Sequence, residues 1–240
     1  MPTAQSAPTP QSEPTAHAND QHPDPDRYIS ADELGLRTPH GDVFAGLTFA
    51  IPRGSLAVVA GPSGSGRSAA LLALGGRMRG LTGSLRVAGF DGLTETRQIR
   101  ATTSIARIAH LVDLEGQLTV GDSVTERALT DAVPAPRATA VLEHAETILG
   151  AEFERGLLVD DLSAVDRTLL AVALATLRPA HILLLDDADL QLSLVDQRRV
   201  MAALLRLTDT GITVVASTLG TDAVPAEATV VPLVRHSPHS

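Results

Sequence analysis

The sequence predicts an α/β fold, a mostly parallel sheet with helices on both faces. Three observations predict it. Short apolar runs alternate with segments of helical spacing from residue 29 to residue 234. One run, SLAVVA at 55–60, leads straight into Gly61-Pro62-Ser63-Gly64-Ser65-Gly66-Arg67-Ser68, a glycine-rich turn that opens a helix. Another, ILLL at 182–185, ends in the acids Asp186 and Asp187.

Composition narrows the function classes. The chain has 240 residues, 44% of them hydrophobic, with four Phe, one Tyr and no Trp, so its core is aliphatic. A net charge of −9 argues against a general nucleic-acid binder. All 19 basic residues are arginine. The absence of cysteine excludes disulfides and thiolate metal sites and is compatible with the cytoplasm. No window approaches the run of apolar residues that a membrane-spanning helix needs. The N-terminus lacks the basic and apolar regions of a signal peptide.

Along the chain, residues 1–28 are rich in Pro, Ser, Thr, Gln and acids and predict a disordered tail. Residues 29–234 form the predicted domain, and 235–240 a flexible C-terminal tail. Strand-like runs fall at 31–37 and 43–51, before the strand that enters the glycine-rich turn. The turn is followed by a helix over 68–77, a strand between glycines at 83–89 and a buried strand over 104–112. Helical spacing covers 120–149, broken at Pro134 and Pro136. An apolar helix spans 163–177, with Ser163 and Asp166 spaced as a capping box. A strand at 182–186, a helix at 194–207 and strands at 212–217 and 229–234 complete the order.

The turn fits the pattern G-x-x-x-x-G-K-[ST] except that Arg67 replaces lysine. In such a loop glycines let backbone N–H groups close on phosphates, and the helix N-terminus adds a positive dipole end. Arg67 keeps the charge but substitutes a planar fork for a compact ammonium. An apolar strand ending in an acid, well after such a loop, is the expected Walker B arrangement: Asp186, with Ser68, to hold Mg²⁺, and Asp187 to polarise an attacking water.

The order of these landmarks resembles the ATP-binding cassette of ABC transporters, over most of the chain. The stretch 43–54 resembles the strand and turn before the family's phosphate loop, 81–89 its following antiparallel strand, and 118–120 the segment after its glutamine loop. Leu162-Ser163, before a long helix and Walker B, resembles its signature region. The resemblance implies a P-loop NTPase fold with an antiparallel β subdomain and a small helical subdomain. It implies ATP and Mg²⁺ as ligands, with Gly61 to Ser68 around the phosphates. It implies a homo- or heterodimer with another cassette, in which Ser163 faces the partner's nucleotide. It also implies docking on a separate multi-spanning membrane permease, hence a cytoplasmic protein peripheral on the inner face of the membrane.

Departures from the pattern predict weak turnover. The family's glutamine falls at Asp113 or Gln117, and its Leu-Ser-Gly-Gly-Gln signature reads Leu162-Ser163-Ala164-Val165-Asp166, where Val165 is expected to add bulk in place of a glycine that permits close backbone approach. Asp187 stands for a glutamate, Ser193 for the D-loop aspartate, and Leu219 for the histidine near the γ-phosphate. His40, Phe44 and Tyr28 are the candidates for stacking on adenine. A nucleotide-responsive or nucleotide-independent scaffold is the alternative reading. The remaining candidates read as structural. His110 and His181 are core or edge histidines, His17, His22, His236 and His239 solvated tail residues, Asp160-Asp161 loop acids, and Arg198-Arg199 a solvated helix face. Asp189 is a candidate cap for the turn after Walker B.

Overall fold

A computed structural model describes residues 25–39, 41–109 and 111–235. Residues 1–24 of the tail expected over 1–28, residues 236–240, and His17, His22, His40, His110, His236 and His239 lie outside the described residues. The rest of the two expected tails is ordered: Pro25–Arg27 form a short 3-10 helix, Tyr28 is buried in the core, and Arg235 is hydrogen-bonded to the Ser63 carbonyl.

Two sheets organise the described residues. β1 (Ile29–Thr38), β2 (Gly41–Ile51), β4 (Leu81–Val87) and β5 (Phe90–Asp91) form an antiparallel sheet in the order β2-β1-β4-β5. β3 (Leu56–Ala60), β6 (Thr103–Arg107), β7 (Ile182–Leu185), β8 (Thr213–Thr218) and β9 (Thr229–Pro232) form a parallel sheet in the order β6-β7-β8-β3-β9. β3, β6, β7 and β8 are buried along their whole length, which is why they read as continuous apolar runs rather than alternating ones.

Period-two alternation splits the interior into two cores. Leu56, Val58, Ala60, Leu183, Leu185, Val214 and Ala216 face one side, where they pack with α5 (Ala164–Ala175), α6 (Leu194–Thr208) and the inner faces of α3 (Val120–Thr130) and α4 (Ala135–Leu149). Ala57, Val59, Ile182, Leu184 and Val215 face the other, against α1 (Arg67–Leu74), Ile99 of α2 (Thr96–Thr102) and the antiparallel sheet. The parallel sheet with helical cover, the antiparallel subdomain and the helical subdomain are thus all present.

Local capping explains the helix boundaries and corrects some expectations. The long helical segment divides at Pro134, the N-cap of α4, and α4 ends on Gly150 in the left-handed region (φ 64°). The reciprocal capping box expected at Ser163–Asp166 is only half made: the Asp166 N–H donates to Ser163 Oγ (3.1 Å), but the Asp166 carboxylate takes the Ser163 hydroxyl (2.7 Å) rather than a backbone N–H. The full box sits at Thr119–Asp122, starting α3. The strand expected to reach Val112 stops at Arg107, beyond which Ile108 and Val112 form only an isolated antiparallel bridge. The helix expected over 68–77 runs Arg67–Leu74, ended by Gly75 and by Gly76 (φ 65°). Two short elements, β5 and α2, were not expected; Ile99 alone is buried in α2, too little for a periodic signal.

Candidate phosphate-binding site

The glycine-rich turn lies at the C-terminal end of β3, where the parallel strands open toward loops. The Gly61 N–H donates to the Thr218 carbonyl (3.1 Å), fastening the loop to the end of β8, and the Ser65 N–H donates to the Pro62 carbonyl (3.1 Å). Gly64 (φ 78°) and Gly66 (φ 92°) are left-handed. A Cβ on Gly66 would lie 3.1 Å from both Cγ1 and the carbonyl of Val43, so the residue is glycine for conformation and for space. Pro62, Ser63 and Gly64 are exposed while Ser65 is buried, and the loop leads into the N-terminus of α1, where the first-turn N–H groups lack intrahelical acceptors. Arg235 reaches back from beyond β9 and donates from Nη2 to the Ser63 carbonyl (2.6 Å).

Arg67 does not extend into solvent. Its side chain is 10% exposed, Nη1 donates to the Gly61 carbonyl, and Nη2 forms an ion pair with Asp187 Oδ1 at 2.6 Å. The guanidinium therefore bridges the loop that would hold phosphate and the acid expected to polarise water.

The two acids are held differently. Asp186 is fully buried; its Oδ1 accepts from the Ser217 hydroxyl and from the Asp187 N–H (3.1 Å). Asp187 has a left-handed backbone (φ 46°), and its N–H also donates to Ser217 Oγ (2.9 Å). Arg107, from the edge strand β6, supports this turn: Nη2 donates to the Asp187 carbonyl (2.7 Å), Nε to the Asp186 carbonyl (3.3 Å) and Nη1 to Thr168 Oγ1 of α5 (3.3 Å). Burial pulls the Arg107 guanidinium below its ordinary pKa, against the attraction of Asp113, Asp187, Asp186 and Asp189. Asp189 accepts the Leu219 N–H at 2.7 Å, tying this turn to the end of β8 instead of capping the next turn with its carboxylate.

Three buried polar atoms around this loop have no partner among the described residues: Ser65 Oγ, Asp186 Oδ2 and Arg67 Nε. Unpartnered buried polar atoms are rare and call for an explanation. A hydroxyl, a carboxylate oxygen and a guanidinium N–H around a helix N-terminus fit a phosphate group accompanied by a hard divalent cation. Gly61 to Ser68, Asp186 and Asp187 are thus drawn to one locality, as expected from the sequence.

Ser163 is elsewhere on the chain, exposed at the N-terminus of α5, and its hydroxyl is engaged with Asp166. Val165, expected to add bulk to that face, is buried in the core instead. Gln117 donates to Asp160 Oδ2 (2.9 Å), so Asp160 joins the loop after β6 to the turn before α5. Asp113, placed by counting from a strand end at Val112, loses that anchor because β6 ends at Arg107; it is exposed and accepts the Leu114 N–H. Ser193 is the N-cap of α6. Leu219 is 56% exposed.

Neither described candidate for stacking on adenine offers a free face. Phe44 is 1% exposed, and Tyr28 is 4% exposed with the Arg53 guanidinium 5.7 Å from its ring centroid. Arg198-Arg199 are exposed, as read from the sequence, whereas His181, read as a core or edge histidine, is exposed just before the central strand β7. Arg107, Ser217 and Arg235 were missed. A lone arginine in the strand run TSIAR and a serine closing the apolar run after Thr213 are weak signals that became meaningful only once β6, β7 and β8 were adjacent.

Comparison with known proteins bears on the family and the fold. A family model described as "ABC transporter" matches residues 44–189. The Escherichia coli glutathione/L-cysteine transport system ATP-binding/permease protein CydD is 30% identical over 191 residues, covering 73% of this chain; the chain spans only 30% of that protein's length. The cobalt import ATP-binding protein CbiO of Rhodobacter capsulatus is 29% identical over 214 residues, covering 86% of this chain and 75% of that protein. Among solved structures, cbiO1 from Clostridium perfringens superposes with a TM-score of 0.71 at 19% identity, covering 87% of each chain. A dimeric ATP-binding cassette bound to ADP and Pi superposes with a TM-score of 0.69 at 19% identity, over 85% of this chain and 94% of that one. These two likenesses speak to the fold.

Proposed function

The chain belongs to the ABC transporter family, and from that premise we propose that it is an ATP-binding subunit that holds ATP with Mg²⁺, turns it over slowly, and serves a separate membrane permease. The observation that carries the reading is the Arg67 guanidinium, bonded at once to the Gly61 carbonyl and to Asp187. The backbone amides of Gly64, Gly66, Arg67 and Ser68 and the dipole of α1 supply the phosphate contacts. Ser68 and Asp186 are the residues that would hold Mg²⁺, which offsets phosphate charge. The unpartnered Asp186 Oδ2 supports that assignment.

Slow turnover follows from two features. Asp187, in the position of a general base, is neutralised by Arg67 and shortened by one methylene relative to glutamate. Leu219 offers no side-chain donor where a preorganised group would contribute ~10²–10³ in rate. Displacing a positioned base costs a further ~10²–10⁴, without simple additivity.

Residues 29–234 form the cassette in this reading, paired with a second cassette of the same or a different chain, across which Ser163 would offer its hydroxyl and the α5 N-terminus. No helix among the described residues is long and apolar enough to cross a membrane. The proposed location is the cytoplasmic face of the membrane. The Arg67–Asp187 pair also favours a second reading, a scaffold subunit that no longer responds to nucleotide, because the pair satisfies both charges without a ligand.

Calorimetric titration with ATP·Mg²⁺, without and with a permease that co-purifies with the chain, tests the proposal. The expected result is saturable one-site binding with hydrolysis well below that of an intact cassette. Absence of binding at millimolar ATP in both preparations rejects it in favour of the scaffold.

A further inference from the structure

At the other end of α1 from the glycine-rich turn lies a second concavity. Gly76, Arg77, Arg79, Gly80, Thr96 and Arg100 line most of this cavity of about 470 Å³. α1 has eight residues, so about 12 Å of helix separates it from the phosphate loop.

Three arginines contribute to the lining, no carboxylate does, and none of the three has an ion-pair partner among the described residues. That is unusual in a chain with a net charge of −9. Arg77 donates only through Nη1, to the Gly75 carbonyl (2.6 Å) and Thr103 Oγ1 (3.1 Å). Arg100 likewise donates only through Nη1, to the Gly76 carbonyl (2.8 Å) and Thr96 Oγ1 (3.4 Å). Those bonds satisfy carbonyls at the end of α1 and fix where the guanidinium groups sit. They leave Nε and Nη2 of both arginines without an acceptor among the described residues. Arg178, bonded to the Arg100 and Ala101 carbonyls, brings a fourth positive charge close by. Burial, Arg178 and Arg100 all push the Arg77 guanidinium below its ordinary pKa, with no acid opposing them.

Converging guanidinium forks with unused N–H groups match the oxygens of a phosphate in a way that ammonium groups do not. We propose that this cavity is a second anion site, separate from the glycine-rich cradle, that takes the phosphate or diphosphate group of a small molecule or a lipid headgroup. Arg77 and Arg100 form its fixed floor. Arg79, exposed and without a side-chain hydrogen bond among the described residues, is its third donor.

Isothermal titration of the full chain with pyrophosphate, in the presence and absence of ATP, tests the proposal. The wild type is expected to show a pyrophosphate site that ATP does not displace. That site should weaken about tenfold in Arg79→Gln and disappear in Arg79→Gln/Arg100→Gln, as loss of charge-assisted hydrogen bonds requires. Arg79→Gln removes no hydrogen bond or ion pair among the described residues, so its effect is read on a folded protein, checked by thermal melting. Co-sedimentation with phosphatidylcholine vesicles, with and without phosphatidic acid, distinguishes the source: phosphate-dependent vesicle binding lost in the double variant assigns a lipid headgroup. The proposal is overturned if wild type and double variant bind pyrophosphate and vesicles alike, or if ATP displaces all bound pyrophosphate.

Discussion

The cradle between β3 and α1 is built from backbone, whereas the rim that faces it, Asp187 and Leu219, depends on side chains. The cradle keeps left-handed Gly64 and Gly66, the buried Ser65 and the open N-terminus of α1. On the rim, the acid is tied to an arginine and the residue just after β8 is an exposed leucine. Binding that rests on peptide N–H groups tolerates substitution of its neighbours. Chemistry that rests on one carboxylate or one imidazole does not survive its replacement. Arg67 belongs to both regions, since it grows from the cradle and occupies the rim.

The largest expected effect breaks the cradle. Gly66→Val forces a branched residue into φ 92° against Val43, a strain of about 1–3 kcal/mol, and ATP binding should fall below detection in a calorimetric titration while the far-ultraviolet spectrum persists. Next comes repair of the rim: Arg67→Lys with Asp187→Glu and Leu219→His should raise steady-state ATP hydrolysis by roughly 10²-fold, measured by phosphate release, and each substitution alone should give much less.

A smaller effect probes a region remote from both. Glu146 of α4 accepts two bonds from Arg155 (both 2.7 Å) and one from the Phe153 N–H (2.8 Å), and Arg155 holds its carboxyl below the ordinary value of 4.5. A group whose folded pKa is depressed stabilises above its unfolded pKa and loses that contribution as pH falls through the folded value. Glu146→Gln should therefore cost about 1–2 kcal/mol at neutral pH. The difference from wild type should shrink as pH drops below 4.5, read from urea melts. The smallest effect removes a cap: Ser163→Ala should cost about 0.5–1 kcal/mol in the same melts, because the Asp166 N–H loses its acceptor.

Legibility in the sequence followed the same division. The cradle and the Walker B strand are contiguous stretches with local rules, so their residues and their flanking strand and helix could be read directly. The parallel sheet followed from fully apolar runs separated by helices. What could not be read joins distant parts of the chain. The Arg67–Asp187 pair, the Arg107 bonds beneath Asp186 and Asp187, and the Asp189–Leu219 link exist only because the sheet order places β3, β6, β7 and β8 together. Val165 was misjudged because a residue's spacing in a motif does not say which way it faces on a helix. The end of β6 was misplaced because residues 104–112 stay largely apolar beyond the last ladder pair.

The central claim is that Arg67 spends its charge on Asp187 when no phosphate is present. ADP binding, measured in a double-mutant cycle with Arg67→Ala and Asp187→Ala, tests it most directly, because ADP excludes any contribution from hydrolysis. Asp187→Ala is expected to tighten ADP about tenfold in the chain that carries Arg67, by releasing the guanidinium to the phosphates, and to change little once Arg67 is alanine. Equal effects of Asp187→Ala in both backgrounds, or weaker ADP binding on its removal, would contradict the account.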